Sequence, residues 1–414
     1  MAGACGQACF KPSTQPSAAS AKVSRVALLT GGLDQPYALG LASALISHGV
    51  MLDFVGSDEV NGPELQGNPR VRFVNLRGAQ RSNAGLARKI GRVLLSYVRL
   101  LRYAASSEAR VVHILWNNKL ETLDRTLLLL YYRLLGKRIV FTVHNVNARR
   151  RDGGDTWLNR LTLRIQYHLV DHLFAHTEQA KSELQADFDV PDRKITVIPF
   201  GLNSTVPDTA LTSLQARQRL GLSNRHKVVL CFGNIVPYKG LEYLVEAMAL
   251  LAETHPECRL IIAGQPKKPT AYWEQVAGRI SDLGLGSRVI MRIEYVPDTD
   301  TEIYFKAADV LVLPYTHVYQ SGVLFLGYNF GLPVIASDVG SLKEEIIEAE
   351  TGFVCKPRDP VDLAKSMETY FASDLYQHLE VCRPEIRNSV HQRHCWAQVG
   401  EIITGVYAQL VGRE

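Results

Sequence analysis

The sequence predicts an α/β protein made of two doubly wound domains that face each other across a cleft. Three observations carry that expectation. The chain has 414 residues, too many for one ordinary core and suited to two domains of roughly 150–200 residues each. Short apolar runs of strand length alternate with longer helix-like runs, the pattern of a parallel sheet covered by helices on both faces. That pattern starts afresh near residue 226, past a break at about 203–210 that reads "NSTVPDTA".

The first winding opens on "VSRVALLT" (23–30), a strand running into Gly31 and Gly32, then the helical "YALGLASALISHGV" and the strand "MLDFVG". Further strands are expected at "ARVVHILW" (109–116), "RIVFTVHN" (138–145), "HLFAHT" (172–177) and "KITVIPFG" (194–201), with one helix over "ETLDRTLLLLYYRLLG". The second winding offers strands at "HKVVLCFGN" (226–234), "RLIIAG" (259–264), "RVIMRIEY", "DVLVLPY" (309–315), "PVIAS" and "TGFVCK". A leader over 1–22, a first domain over 23–204 and a second over 205–392 follow. The terminal stretch within 393–414 is an amphipathic helix that can pack back on the first domain. In such sheets ligands sit at the carboxyl ends of the strands, in the crevice where the strand order reverses.

A composition of 46% hydrophobic and 21% charged residues excludes disordered and fibrous classes. No apolar run reaches the ~18–20 residues that span a bilayer, and the first 22 residues carry no secretory h-region, so they read as a disordered leader. The seven cysteines (5, 9, 231, 258, 355, 382, 395) are odd in number and show no zinc-ligand spacing. A reduced, cytoplasmic protein is expected. The net charge of +5 hides an asymmetry. Residues 23–205 hold 24 Lys+Arg against 16 Asp+Glu, whereas 206–414 hold 20 against 25. A basic first half suggests an anionic partner there.

Two stretches carry chemistry. In "FGNIVPYKGLEYLVEA" (232–247) a strand ends at Gly233, and Lys239-Gly240 sit where the next helix begins, so the lysine can project into the cleft toward a phosphate. In "HVYQSGVLFLGYNFGLPVIASDVGS" (317–341) the amides of Ser321, Gly322 and Val323 would be the unsatisfied donors of a new helix. Added to the helix dipole, they form a cradle for an anion. A solvated lysine and a serine-capped core helix are the alternative readings of the two stretches.

Taken together and in this order, the two stretches resemble the family 4 ("group 1") glycosyltransferases of GT-B fold, which pair two Rossmann-like domains. "GNIVPYKGLEYLVEAM" resembles that family's Gly-Arg-x-x-x-x-Lys-Gly stretch, "GLPVIASDVGSLKEEI" its Gly-x-Pro-Val block, and "TGFVCKPRDPVDLAKSM" the Thr-Gly segment that follows. The likeness is strong over 194–372 and looser over 25–193. The resemblance implies a nucleotide diphosphate-sugar, UDP- or GDP-linked, as co-substrate, with no resident cofactor and no metal. It implies that Lys239 meets the diphosphate, that the Ser321–Val323 amides hold phosphate, and that Gly31, Gly32, Gly233, Asn234 and Glu344 line the donor side. His144 in "FTVHN" matches the histidine that contacts the transferred sugar. A satisfied core histidine is its alternative.

The departures are informative. The family's two glutamates, eight positions apart, fall here on Val318 and Leu326, and Asn234 stands in place of its arginine. Retention of anomeric configuration is the family's habit. With the first glutamate replaced, an inverting route would need a base near the acceptor, and Asp34 in "GGLDQPY" is the candidate. A cap or turn aspartate is the plainer account of Asp34. The Asp298-x-Asp300 pair resembles a metal motif of another fold, and helix capping explains it better.

The run "LARKIGRVLLSYVRLLRYA" (86–104) places Arg88, Arg92, Arg99 and Arg102 within an ~80° sector of one helix face. A basic amphipathic helix can lie on an anionic membrane surface, as acceptor domains of GT-B enzymes that extend lipid-linked glycans do. An ordinary solvated helix face is the alternative. Arg149 and Arg150, in "NARRRDGGD", could grip an acceptor phosphate. The expected partners are thus a nucleotide-sugar, a glycan or lipid-linked acceptor, and peripherally a membrane. Nucleic acid is not expected, since no recognition module accompanies the basic stripe. The rival functions are a nucleotide-sugar epimerase or phosphorylase of the same fold, or a non-catalytic nucleotide-sugar-binding subunit.

Overall fold

The computed structural model describes residues 25–412 except 32–34, 63–64, 66, 79–85, 152, 203–205 and 268–269. The leader, Gly32, Asp34 and the start of the 203–210 break lie outside the described residues. The first sheet holds β1 Val26–Leu29, β2 Leu52–Gly56, β3 Val71–Asn75, β4 Val111–Ile114, β5 Arg138–Val143, β6 His172–Ala175 and β7 Ile195–Val197. Its strand order is β3-β2-β1-β4-β5-β6-β7, all parallel. The second holds β8 Lys227–Phe232, β9 Cys258–Ala263, β10 Val289–Arg292, β11 Val310–Leu313, β12 Val334–Ser337 and β13 Gly352–Cys355. Its order, β10-β9-β8-β11-β12-β13, repeats the first winding.

Helices of the first half are α1 Gln35–Ser47, α2 Leu86–Ser106, α3 Glu121–Arg125, α4 Leu127–Leu134, α5 Ala148–Arg151, α6 Trp157–Leu169 and α7 Glu178–Phe188. The second half adds α8 Ser213–Arg219, α9 Leu241–Thr254, α10 Ala271–Asp282, α11 Asp298–Ala307, α12 Gly322–Asn329 and α13 Leu342–Glu345. It closes on α14 Pro360–Ala372, α15 Asp374–Gln377, α16 Leu379–Arg393 and α17 Trp396–Val411. Among the described residues, no helix is long and apolar enough to cross a membrane.

Most strands are fully buried runs of Val, Ile and Leu, as expected when helices cover both faces. Strand β3 escapes the sequence reading because it lies at the sheet edge and is only half buried. The single helix expected over 121–136 is broken at Thr126, whose φ of −124° and ψ of −88° end α3 and start α4. Asp298 and Asp300 occupy the first turn of α11 and Pro297 the cap position, so the pair complements the helix dipole rather than capping by hydrogen bond.

The two halves meet through specific contacts. Helix α17 lies along α1 and buries Val399, Ile403 and Tyr407 in the first half's core. The Trp396 indole N–H donates to the Leu202 carbonyl. The Tyr407 hydroxyl and Thr142 hold the two ring nitrogens of buried His113. The chain after the break is tied to the second half, where Glu302 accepts from Thr209 and Lys306 and Arg387 pair with Asp208.

Candidate functional site

Both sheets reverse order between a first and a fourth strand, and the sequence supplies a glycine just past the first strand in each. Gly31 follows β1 with φ +63°, and a Cβ there would lie 2.6 Å from the Trp116 Cβ at the end of β4. Gly233 follows β8 with φ +96°, and a Cβ there would stand 2.8 Å from the Lys239 Nζ and 3.4 Å from the Val323 side chain. Only glycine suits such backbone conformations at such close approach. Gly233, Lys239 and Val323 therefore converge on one point at the second switch.

Lys239 ends the 3-10 turn Pro237–Lys239 and is only 8% exposed. Its ammonium donates to the Phe232 carbonyl at 3.2 Å and stands 5.5 Å from the Tyr315 ring centroid. Among the described residues no carboxylate pairs with it, and burial lowers its pKa. A buried cation without a counter-ion is costly unless an anion completes it. The start of α12 faces the same space. Ser321 takes the cap position but makes no side-chain cap bond, and Gly322 is exposed with open space where a Cβ would be. The Leu324 amide bonds the Ser321 carbonyl at 3.1 Å, and the Gly322 and Val323 amides are left for something other than the serine.

Val318 is buried, with its carbonyl packed close against Gly340, and Leu326 packs on the second half's core. Both positions are apolar and pack with that core. Asn234 is exposed beyond β8. Glu344, exposed on α13, does not join Lys239. Burial first, then the neighbouring Glu345 and Glu178 of α7, raise its pKa.

On the first half's side, His144 follows β5 and stacks on Trp116 (4.3 Å, 4°), with Tyr37 edge-on at 4.7 Å and His176 at 5.1 Å. Its buried Nε2 has no hydrogen-bond partner. Burial, reinforced by His176 and His113, holds its pKa well below the usual value, so the ring is neutral at pH 7. The ring cluster continues through Phe200, stacked at 5.2 Å on Phe325 of α12. A second bridge is Tyr319, which the sequence reading passed over. Its hydroxyl donates toward Glu183 and the Asn147 carbonyl and accepts from the Asn147 amide. Tyr315 and Trp116 were findable, because each follows a strand at a switch point. Tyr319 gave no such signal.

The arginines divide. Arg149 pairs with Glu121, and Arg150 with Asp187 and Glu183, so both are tied to carboxylates of their own half. Arg88, Arg99 and Arg102 are exposed along α2, with Arg92 half-buried beside them. The described cysteines are free, and among the described residues no group of His, Cys, Asp or Glu is placed to hold a metal ion.

Two like-wound parallel sheets, with a crevice lined from both switch points, define the GT-B architecture. Family models agree in sequence: "Glycosyltransferase Family 4" matches residues 35–206 and "Glycosyl transferases group 1" matches 213–388. The chain belongs to the group 1, family 4 glycosyltransferases. It is 28% identical over 280 residues to the D-inositol 3-phosphate glycosyltransferase of Corynebacterium diphtheriae, covering 65% of this chain and 64% of that protein. It is 29% identical over 228 residues to the mannosylfructose-phosphate synthase of Agrobacterium fabrum, covering 52% and 50%. The chain thus spans less than two thirds of the length of the curated relatives it matches. In fold it is similar to sucrose-phosphate synthase from Thermosynechococcus elongatus, with a TM-score of 0.74 at 20% identity over 94% of this chain and all of that one. Anabaena HepE in complex with UDP-glucose gives 0.70 at 16% identity, over 93% and 99%.

Proposed function

We propose that this chain transfers a sugar from a nucleotide diphosphate-sugar to a glycan or lipid-linked acceptor, without a resident cofactor or metal, at the cytosolic face of a membrane. The observation that carries the reading is the buried Lys239 ammonium. It has no carboxylate partner among the described residues and converges with Gly233 and the start of α12. A leaving diphosphate supplies the negative charge that this arrangement lacks. In the transfer the anomeric C–O bond to the diphosphate breaks and its electron pair stays on phosphate, where Lys239 and the Gly322 and Val323 amides stabilise it. The acceptor oxygen forms the new bond. With Val318 and Leu326 apolar, the departing phosphate oxygen is the basic group nearest the acceptor, takes its proton, and thereby favours attack on the same face and retention.

Neutral His144 supports contact with an uncharged sugar hydroxyl through its unpartnered Nε2. The basic face of α2, with exposed Ile90, Leu94, Val98 and Leu101 beside it, supports a peripheral membrane contact. The test is thermal unfolding with a panel of nucleoside diphosphates, together with turnover of the matching nucleotide-sugars. One diphosphate is expected to raise the melting temperature through binding to the folded state alone, and its sugar to be consumed. The apolar residues at Val318 and Leu326 favour one second reading, a non-catalytic nucleotide-sugar-binding subunit. A melting shift with no turnover of any donor would select it. No shift with any diphosphate would sink the donor site.

A further inference from the structure

Helix α2 carries three sectors rather than two. Taking Arg88 as origin at about 100° per residue, the half-buried Val93 and the buried Tyr97, Leu100 and Ala104 fall at roughly 120–180°. The exposed Ile90, Leu94, Val98 and Leu101 fall at roughly 200–280° on the same scale, next to the arginine face. A solvated helix needs no apolar sector outside its core seam. Beside that sector opens a groove of about 510 Å³, walled on its apolar side by Ile90, Val93, Leu94 and Leu120. Its charged lining is Arg77, Lys89, Arg92 and Lys119, and no carboxylate lines it among the described residues. Of the carboxylates just outside the lining, Asp124 and Glu59 offset part of the Arg77 charge at the inner end, and the outer cations Lys89 and Lys119 are left to the groove. Glu121 pairs with Arg125 and Arg149, and Asp124 accepts from Tyr97 and Asn118.

The inner end of the groove reaches the cleft. Arg77, Ser96, Tyr97 and Asn118 are shared with a smaller pocket lined by Gly31 and Gly56, at the carboxyl ends of β1 and β2. Arg77 donates to the Gly31 carbonyl and to Asn118, so its guanidinium is fixed at the junction of groove and cleft. We infer that this groove binds the acceptor as a single amphiphilic phosphate. Its hydrocarbon chain lies over Ile90, Leu94 and Leu120, and its phosphate meets Lys89 and Lys119, with Arg77 at the inner end. The pairing of apolar wall with cations and no carboxylate is complementary to that chemistry and to neither a neutral glycan nor a free anion. The inference rests on the proposed transfer for its role as acceptor, but not for the binding itself.

Titration calorimetry of the full chain with monomeric octyl phosphate, octanol and inorganic phosphate tests it, with Leu94→Glu and Lys119→Glu as variants at the groove wall. Octyl phosphate is expected to bind about tenfold or more tighter than either fragment, and each variant to weaken it about tenfold. The melting shift by nucleoside diphosphate should persist in both variants, which separates lost acceptor binding from misfolding. Equal binding of octanol and octyl phosphate, or variants that bind as the parent does, would overturn the inference. So would binding only to vesicles of anionic phospholipid, because the face would then be a membrane contact with no acceptor groove. Octyl phosphate binding without any diphosphate response would leave the groove standing and defeat the donor reading instead.

Discussion

The two switch points are wound alike yet have opposite chemistry. Past β8 stands a buried ammonium with no carboxylate partner among the described residues, beside uncapped helix amides. Past β1, β4 and β5 stand stacked rings around a neutral histidine, backed on the outer side by an apolar and cationic helix face. One crevice wall lacks an anion, and the other offers uncharged polar and apolar surface. Identical topology therefore says where ligands go, while the side chains at the strand ends say which kind. A group-transfer site needs that division, because charge develops on the leaving group and the transferred sugar stays neutral.

The largest expected effect removes the charge itself. Lys239→Ala should lower turnover about a thousandfold, with the melting temperature of the ligand-free protein unchanged or raised, since a buried unpaired cation is lost. Unchanged turnover would dissolve the contrast between the walls. His144→Phe keeps the stack on Trp116 but removes the free nitrogen, and should cost about a hundredfold. His144→Gln should recover part of it. A Phe variant as active as the parent would make His144 a packing residue only.

The neutral histidines also predict pH dependence. Burial lowers His113 to about 3 and His176 to about 4, from an ordinary 6.5. Below pH 6.5 the unfolded chain binds more protons than the folded one, so stability is complete above 6.5 and falls as pH drops toward 4. Each such histidine contributes a slope of about 1.4 kcal/mol per pH unit in that window. Denaturant unfolding at pH 7.5, 6 and 5 should show this slope, reduced by one proton's share in His113→Asn. The smallest effect is at the bridge between the halves. Tyr319→Phe loses bonds to Asn147 and Glu183 and should cost about 1 kcal/mol of unfolding free energy. It should also raise the donor KM, because Tyr319 stands three residues before the start of α12. An unchanged KM would show that the bridge and the donor loop are independent.

Much of this was legible in the residues. Continuous Val, Ile and Leu runs announce strands buried on both faces, and glycines at strand ends announce switch points, because local sterics and burial leave few alternatives. Lys239 and the Ser321–Val323 stretch were readable for the same reason: their spacing sets a helix start beside a strand end. Strand β3 was not, since a half-exposed edge strand carries little periodicity. Asp34 and Gly32 lie outside the described residues, and the Glu178 influence on Glu344 joins residues 166 apart in the chain, which no local pattern signals.

The sequence by itself determined the doubly wound pattern, its repetition, and the residues placed at each strand end. These depend on contacts within a few residues or on burial of a whole strand. Only the tertiary structure decided that Tyr319 reaches 172 residues back to Asn147, that α17 returns to α1, and that Arg77 closes the inner end of an apolar groove. Those are meetings of side chains far apart in the chain. No local periodicity encodes them, because they depend on how whole elements dock.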